Sequence, residues 1–427
     1  MKRHILVFLL GAVMSGAAYS QTTYTATVIT FPSARVSAHG LNASGQVAGT
    51  LLFSDNVNTS HAFLTGPNGA QVTDLGTLGG TYSWGWGVND SGQVVGQATA
   101  TPGYEQTLYA FITGANGTNM TSLGVLGGNY TQSGAYAINA RGQVVGKSTA
   151  SNGSMHAFVT GANGSSMIDL GTLGGLNSLA LAINPSGRVA GYATTAGLNA
   201  ELDGNPYAVA SIAPANVGFA AVANVSTSMA LGINDANEIV GFANFSYAAD
   251  HDHAICISAQ GTLSDVGAQI SGASESRAVA INRSGQVAIW ALLSDGFHVF
   301  VTGAHCAGLT DVTQYLPAPS LSAVGYFPVA INDNGQILVN DGNPGVSVLG
   351  TNSLFPDIWS LYRAILMTPQ NSGGSGGGGS GGGGSTGGGT PGAAPTTGGG
   401  GGGALGWEWL ALFAIWGWAR HARRTKP

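Results

Sequence analysis

Charge is the scarcest commodity in this chain, since Asp, Glu, Lys and Arg together make up 7% of its 427 residues. What charge there is leans acidic. Between Gln21 and Gln370, Asp and Glu outnumber Lys and Arg by 18 to 7, a net of about −11. Such a surface repels phosphate backbones and argues against nucleic acid as a partner. Cysteine is nearly absent: with only Cys256 and Cys306 there is no zinc-type pair. The two could form one disulfide in an oxidising compartment, but they fall at different places in successive repeats, which counts against pairing. No nucleophile elbow, zinc motif or Gly-rich phosphate loop stands out, and no cofactor is implied. Solubility therefore rests on Ser, Thr, Asn, Gln and Gly, a composition suited to an all-β exported protein.

What the chain has in abundance is repetition. The stretch Gly87 to Gln97, G-V-N-D-S-G-Q-V-V-G-Q, returns six more times, with its asparagine at Asn42, Asn89, Asn139, Asn184, Asn234, Asn282 and Asn332. A period near fifty residues means blades or coils and not one irregular core. Each copy is spelled as a hairpin on a type I turn. Asn opens the turn, and Gly45, Gly92, Gly142, Gly187, Gly285 and Gly335 sit at the fourth position, where backbone of positive φ is needed. Asn237, the next most tolerant residue, replaces glycine once. Pro185 takes the second turn position of copy four, where its fixed φ fits. The flanking apolar runs are short enough for strands and too short for helices.

A third strand reads His61-Ala62-Phe63-Leu64-Thr65-Gly66 in the first copy, with counterparts from Tyr109 and from His156. Asn-Gly turns then lead to a fourth strand carrying Asp74-Leu75-Gly76-Thr77-Leu78-Gly79-Gly80. Four antiparallel strands per period is the grammar of a β-propeller blade. The last copy lacks a fourth strand after Arg363 to Thr368, and Thr23 to Thr30 stands where one is needed. The expected fold is therefore a seven-bladed propeller spanning residues 21–370, its last blade shared between the termini, with closure removing open sheet edges.

The H-A-F, T-D-L-G-T-L-G-G and I-N-x-x-G-Q-V-V-G signatures resemble the HAF-repeat family of probable extracellular bacterial proteins. The resemblance covers roughly Gln21 to Gln370 and implies fold and export, with no activity attached.

Both ends carry export features. Residues 1–20 have the layout of a signal peptide, with Lys2-Arg3, an apolar run from Ile5 to Val13 and small residues up to Ser20, which makes signal peptidase an expected partner. Residues 371–403 are almost wholly Gly with Ser, Thr and some Pro, a flexible tether. Residues 404–419 form an apolar run of about 24 Å as a helix, expected to enter the inner membrane, and residues 420–427 are a basic end expected to stay cytoplasmic. This tail resembles the GlyGly-CTERM class of bacterial sorting signals, the matching residues being Gly402, Gly403, Arg420, Arg423 and Arg424. The resemblance implies retention at the inner membrane, cleavage by a rhomboid-type protease and delivery to the cell surface. Glu408 departs from an otherwise apolar helix, and a plain anchor without processing is the alternative.

Residues that recur in rotation are poor catalysts, because a catalytic group is needed once. His61, His156, His253 and His298 are expected to be polar strand ends that pack and hydrogen-bond. Asp74, Asp169, Asp265 and Asp311 are expected to accept backbone hydrogens at a turn. Asp250-His251-Asp252-His253 has no counterpart in other repeats, and alternate residues such as Asp250 and Asp252 could share a metal if a third ligand came from elsewhere.

The variable loops all fall on one rim, the usual place for function on a rigid frame. That rim carries Arg35, His39, Tyr82, Glu275 and Arg277, and its candidate ligand-binding residues are Trp84, Trp86, Tyr130, Glu201, Asp203 and Tyr326. Trp84 and Trp86, spaced i, i+2, either offer stacking faces to a sugar or a protein partner or fill the interior. A binding module for glycans or surface proteins is the leading expectation. A glycan hydrolase or lyase using rim carboxylates and a passive envelope protein are the rivals.

Overall fold

The computed structural model describes residues 22–53, 59–102, 107–127, 132–196, 203–211, 219–221, 227–245, 251–318, 325–342 and 361–370. They form seven four-stranded antiparallel sheets arranged as the blades of a propeller. Blade one runs outward from Ala34–Leu41 through Val47–Phe53 and Ser60–Thr65 to Val72–Asp74, and the next five blades repeat that order. In blade seven the innermost strand is Gly325–Ile331, followed by Ile337–Gly342 and Leu361–Gln370, and the outermost is Thr23–Ile29 from the other end of the chain. The register places Val28 opposite Ile365 and Thr25 opposite Thr368. The ring closes as the repeat arithmetic requires.

Closure does not remove sheet edges, contrary to expectation, because every blade still ends in an outermost strand. Among the described residues those of blades one to six are two to four residues long, whereas Thr23–Ile29 has seven. Among the described residues, too, no helix is long and apolar enough to cross a membrane. The segments 1–20, 371–403, 404–419 and 420–427 lie outside the described residues.

The repeated asparagine does more than open a turn. Asn42 Oδ1 accepts from the amides of Ser44 and Gln46, while its Nδ2 donates to Gln46 Oε1 and to the backbone oxygen of Asn89 in the next blade, at 3.0 Å. Asn89 donates likewise to Asn139, Asn139 to Asn184, Asn184 to Asn234, Asn234 to Asn282 and Asn282 to Asn332. Asn332 completes the ring by donating to Asn42. All seven asparagines are buried, so each amide satisfies groups that would otherwise be stranded away from water.

A second repeated contact ties neighbouring blades. Ser83 Oγ at the start of an innermost strand accepts from Ala62 N of the preceding blade and donates to Gly76 O. Ser133 and Ser178 do the same. The small residue of the H-A-F motif is thereby fixed against the next blade.

Each innermost strand also carries a β-bulge, and the extra residue is always the third before the asparagine. These residues are His39, Trp86, Tyr136, Leu181, Leu231, Val279 and Val329. A tight hairpin accompanies the bulge: a Cβ on Gly96 would lie 1.8 Å from Trp84 O, which explains the glycine of V-V-G. The bulge residues are all buried. His39 stands 4.4 Å from the Trp86 ring and Trp86 6.1 Å from Tyr136, centroid to centroid, so the layer runs from blade to blade.

Cys256 and Cys306 are joined in a disulfide. The expectation against pairing failed because neighbouring blades do not touch through equivalent positions. The third strand of one blade packs against the strand-three to strand-four turn of the next: a Cβ on Gly117 would meet Leu64 of blade one, and one on Gly164 would meet Ile112 of blade two. Cys256 takes the Leu64 position in blade five, and Cys306 takes the Gly117 position in blade six. Different places in the repeat are what allow the two sulfurs to meet.

Candidate functional site

The innermost strands place side chains in successive layers along the ring, and the layers change character from one rim to the other. At the hairpin-turn rim lie the asparagines, engaged by backbone. Above them the bulge layer is aliphatic and aromatic, with one titratable imidazole, His39, whose Nε2 lies 3.1 Å from Ser37 Oγ. Burial pushes the His39 imidazole down to about 3, so it is neutral there.

Two residues nearer the loop-bearing rim, the strands contribute Trp84, Leu179, Met229, Arg277 and Phe327, with the small Ser37 and Gly134 completing the set. Opposite them on the second strands stand Gln97, Tyr192, Phe242, Trp290 and Lys147. Gly134 leaves space that Gln97 uses, since a Cβ there would come within 2.8 Å of Gln97 Oε1. Lys147 Nζ lies 5.9 Å from the Tyr136 ring centroid.

The densest chemistry is around Arg277. Its Cζ lies 4.4 Å from the Phe242 ring centroid and 5.3 Å from that of Trp290, and Trp290 packs edge-on against Phe297 and Phe327. Nη2 donates to Asp252 Oδ2 at 2.7 Å and to Glu275 Oε1 at 3.0 Å. The arginine side chain is 9% exposed and that of Glu275 31%, so the cluster opens toward solvent on the glutamate side. Burial raises the Glu275 carboxyl above the usual range. Arg277 opposes the shift and Asp252 adds to it. A buried guanidinium packed against two aromatic rings and flanked by two carboxylates can hold a polar ligand in a fixed orientation.

Among the described residues, those expected to bind ligand are not gathered into one site. Trp84 and Trp86 are 5% and 1% exposed and belong to the largest apolar cluster, so the interior reading of the pair holds and neither ring offers a free face. Trp86 is the bulge residue, which ends strict alternation along its strand. Tyr326 is 6% exposed, with its hydroxyl donating to Pro317 O. Burial raises its pKa, with Asp341 reinforcing and Arg363 opposing. Asp203 opens the third strand of blade four opposite Ala196. Tyr130, Glu201 and Asp250 lie outside the described residues, as do Gly402, Gly403, Arg420, Arg423 and Arg424. His39 is in the bulge layer and not on the rim.

Asp252 is engaged by Arg277, and His253 by Asp265 at 2.9 Å, so these two members of the D-H-D-H run are turned toward protein partners, while His251 is exposed. Among the described residues no three candidate ligands converge for a metal. The recurrent histidines follow one rule: His61, His156, His253 and His298 place Nδ1 within 2.7 to 2.9 Å of Asp74, Asp169, Asp265 and Asp311. Where the blade has Tyr109 in place of histidine, the aspartate position is Ser122.

Sequence reasoning named Glu275 and Arg277 as rim residues without linking them. It missed the bulge layer, although a signal was present: in blades one to six the bulge residue stands between two Gly or Ala neighbours, as in Gly85-Trp86-Gly87 and Ala180-Leu181-Ala182.

No family model matches the chain, and no curated protein matches it in sequence. Solved structures do match in shape. The propeller domain of the Trilobed protease from Pyrococcus furiosus, described as having an open velcro topology, superposes with a TM-score of 0.52 at 8% identity, covering 73% of this chain and 92% of that one. The acylaminoacyl peptidase of Pyrococcus horikoshii gives 0.47 at 10% identity, over 74% of this chain and 49% of that one, so the present chain spans about half its length. At these identities the likeness concerns the fold alone. The Pyrococcus furiosus domain is described as open, whereas here the first and last described strands are paired.

Proposed function

We propose that this is an exported propeller of the HAF-repeat type whose loop-bearing rim is a binding surface for a glycan or a surface protein. The observation that carries the reading is the difference between the two rims. On one, short hairpins are tied by the asparagine ring; on the other, Arg277, Asp252 and Glu275 sit beside Phe242, Trp290 and Phe297 at a partly open cluster. Polar groups with fixed directions next to aromatic surface are what oriented recognition of a sugar or a protein side chain requires. Export is supported by the layout of residues 1–20 and by the Cys256–Cys306 disulfide, a bond that persists in oxidising compartments. The tail, read as a GlyGly-CTERM signal, is a transient or stable anchor at the inner membrane before surface delivery.

A glycan array probed with the purified protein tests the binding reading. Saturable binding weakened at least tenfold by Glu275→Ala supports it, and a blank array together with failure to pull down any surface protein removes it. For the tail, an intact Arg424 in the exported protein, seen by mass spectrometry, removes the processing reading.

One observation favours a second reading. Glu275, with its carboxyl held above the usual range beside Asp252, is a candidate proton donor for a glycan hydrolase or lyase. Product release from a polysaccharide panel, abolished by Glu275→Gln, is the outcome that reading needs.

A further inference from the structure

Blade seven differs from the other six at its outer edge. In blades one to six the outermost strand is short, and those of blades one, three, five and six end in Asp74, Asp169, Asp265 and Asp311. Short length and terminal charge are the usual devices that keep a sheet edge from adding a strand. The outermost strand of blade seven, Thr23–Ile29, has neither: it is seven residues long and contains no charged residue and no proline. One side of it pairs with Leu361–Gln370, and among the described residues nothing pairs with the other. Alternate residues of a strand direct N–H and C=O to opposite sides, so about half of these seven present both groups outward.

Its side chains alternate from Thr23 to Val28, and Ile29 at the end is buried against blade one. Thr23, Thr25 and Thr27 are exposed, while Tyr24, Ala26 and Val28 are half-buried against the largest apolar cluster, with Tyr24 5.9 Å from Tyr315. The sequence T-Y-T-A-T-V-I is close to a palindrome about Ala26. When two copies are laid antiparallel about a two-fold axis through that residue, Thr25 faces Thr27 on the exposed side and Tyr24 faces Val28 on the other. Threonine pairs and aromatic with β-branched pairs are both favourable cross-strand neighbours. A two-fold axis perpendicular to the sheet keeps exposed faces together, which is the condition for one continuous eight-stranded sheet across two molecules.

We propose that the protein self-associates through this edge, with Thr23–Ile29 of one copy pairing antiparallel with the same strand of a second. The occupant is a second copy because the strand is its own complement in pattern, and because it lacks any charge that would select an oppositely charged partner or repel its twin. A seven-residue strand pair is small beside the roughly 800 Å² per partner of a standard interface, so association is sought up to about 100 μM. The edge lies on the blade perimeter, and the proposal is independent of what the loop-bearing rim binds.

The test is sedimentation of the full-length protein in detergent at about 1 to 100 μM, beside Thr25→Lys/Thr27→Lys and, as a control on another outer strand, Thr73→Lys. The expected result is a two-chain mass for the native protein and for Thr73→Lys, and a one-chain mass for the double-lysine variant with an unchanged melting midpoint. Mixing that variant with Thr25→Glu/Thr27→Glu restores the two-chain mass, which a merely misfolded variant cannot do. A one-chain mass for the native protein at 100 μM, a two-chain mass surviving in the double-lysine variant, or a mixture that stays at one chain overturns the proposal.

Discussion

Asn332 Nδ2 donates to the backbone oxygen of Asn42 at 2.9 Å, across 290 residues of sequence. This one bond is the seventh of a ring whose other members span 45 to 50 residues each. It joins blade seven to blade one beside the hairpin turns, while the pairing of Thr23–Ile29 with Leu361–Gln370 joins the termini at the perimeter. The ring is fastened at both radii.

Removing one member of that ring strands several buried groups at once. Asn139→Ala leaves the amides of Arg141 and Gln143 and the oxygen of Asn184 without the partners they have now. The expected loss is about 2–4 kcal/mol, at roughly 1–3 kcal/mol per unsatisfied buried group with partial relaxation. Urea denaturation measures it, and the exposed Asn152→Ala sets the baseline. A loss below 1 kcal/mol contradicts the role assigned to the ring.

The disulfide closes a loop of 50 residues between blades five and six. Chain entropy places the stabilisation of such a bridge at about 3–4 kcal/mol. Cys256→Ser/Cys306→Ser should lower the unfolding free energy by about that amount, with a matching fall in the denaturation midpoint, and leave no further effect of reductant. A midpoint equal to that of the native protein counts against the staple.

His39 makes stability depend on acid. Burial holds its folded pKa at about 3, below the ordinary 6.5 of the unfolded chain, so the unfolded state takes the proton first. Stability is full above about 6.5 and declines as pH falls toward 3. At pH 4 the accumulated cost is about 3 kcal/mol. His39→Leu should therefore lose less stability than the native protein between pH 7 and pH 4, by calorimetry or urea titration. Equal losses in the two proteins remove this assignment.

Arg277 is the shared cation of two carboxylates at the mouth of the ring. With Arg277→Met, Asp252 and Glu275 keep their burial and lose their cation, for an expected loss of about 2–4 kcal/mol at pH 7. The Glu275 carboxyl then rises further, so the loss shrinks as pH falls through its range. A loss that grows on acidification, measured by the same denaturation series, sinks the account of the cluster.

Much of this architecture is written in local chemistry. The left-handed turn residue, glycine six times and Asn237 once, identifies seven hairpins because positive φ is a property of four consecutive residues. Counting strands then leaves Thr23 to Thr30 as the only piece able to complete the last sheet. The site was far less legible. In sequence Trp84 and Trp86 could be a binding pair or interior filling, and only the structure shows both buried, with Trp86 at a bulge. Bulges shift which side chain faces which neighbour, and period-two reasoning assumes they are absent.

Sequence alone determined the number of blades, the turn type and the strand that closes the ring, since each depends on residues adjacent in the chain or on a simple count. Tertiary structure alone decided which side chains meet: Asn332 with Asn42, Cys256 with Cys306, and Arg277 with Asp252. Those pairs join different blades, and contacts between blades depend on how two twisted sheets stack, a relation that no period along the chain encodes.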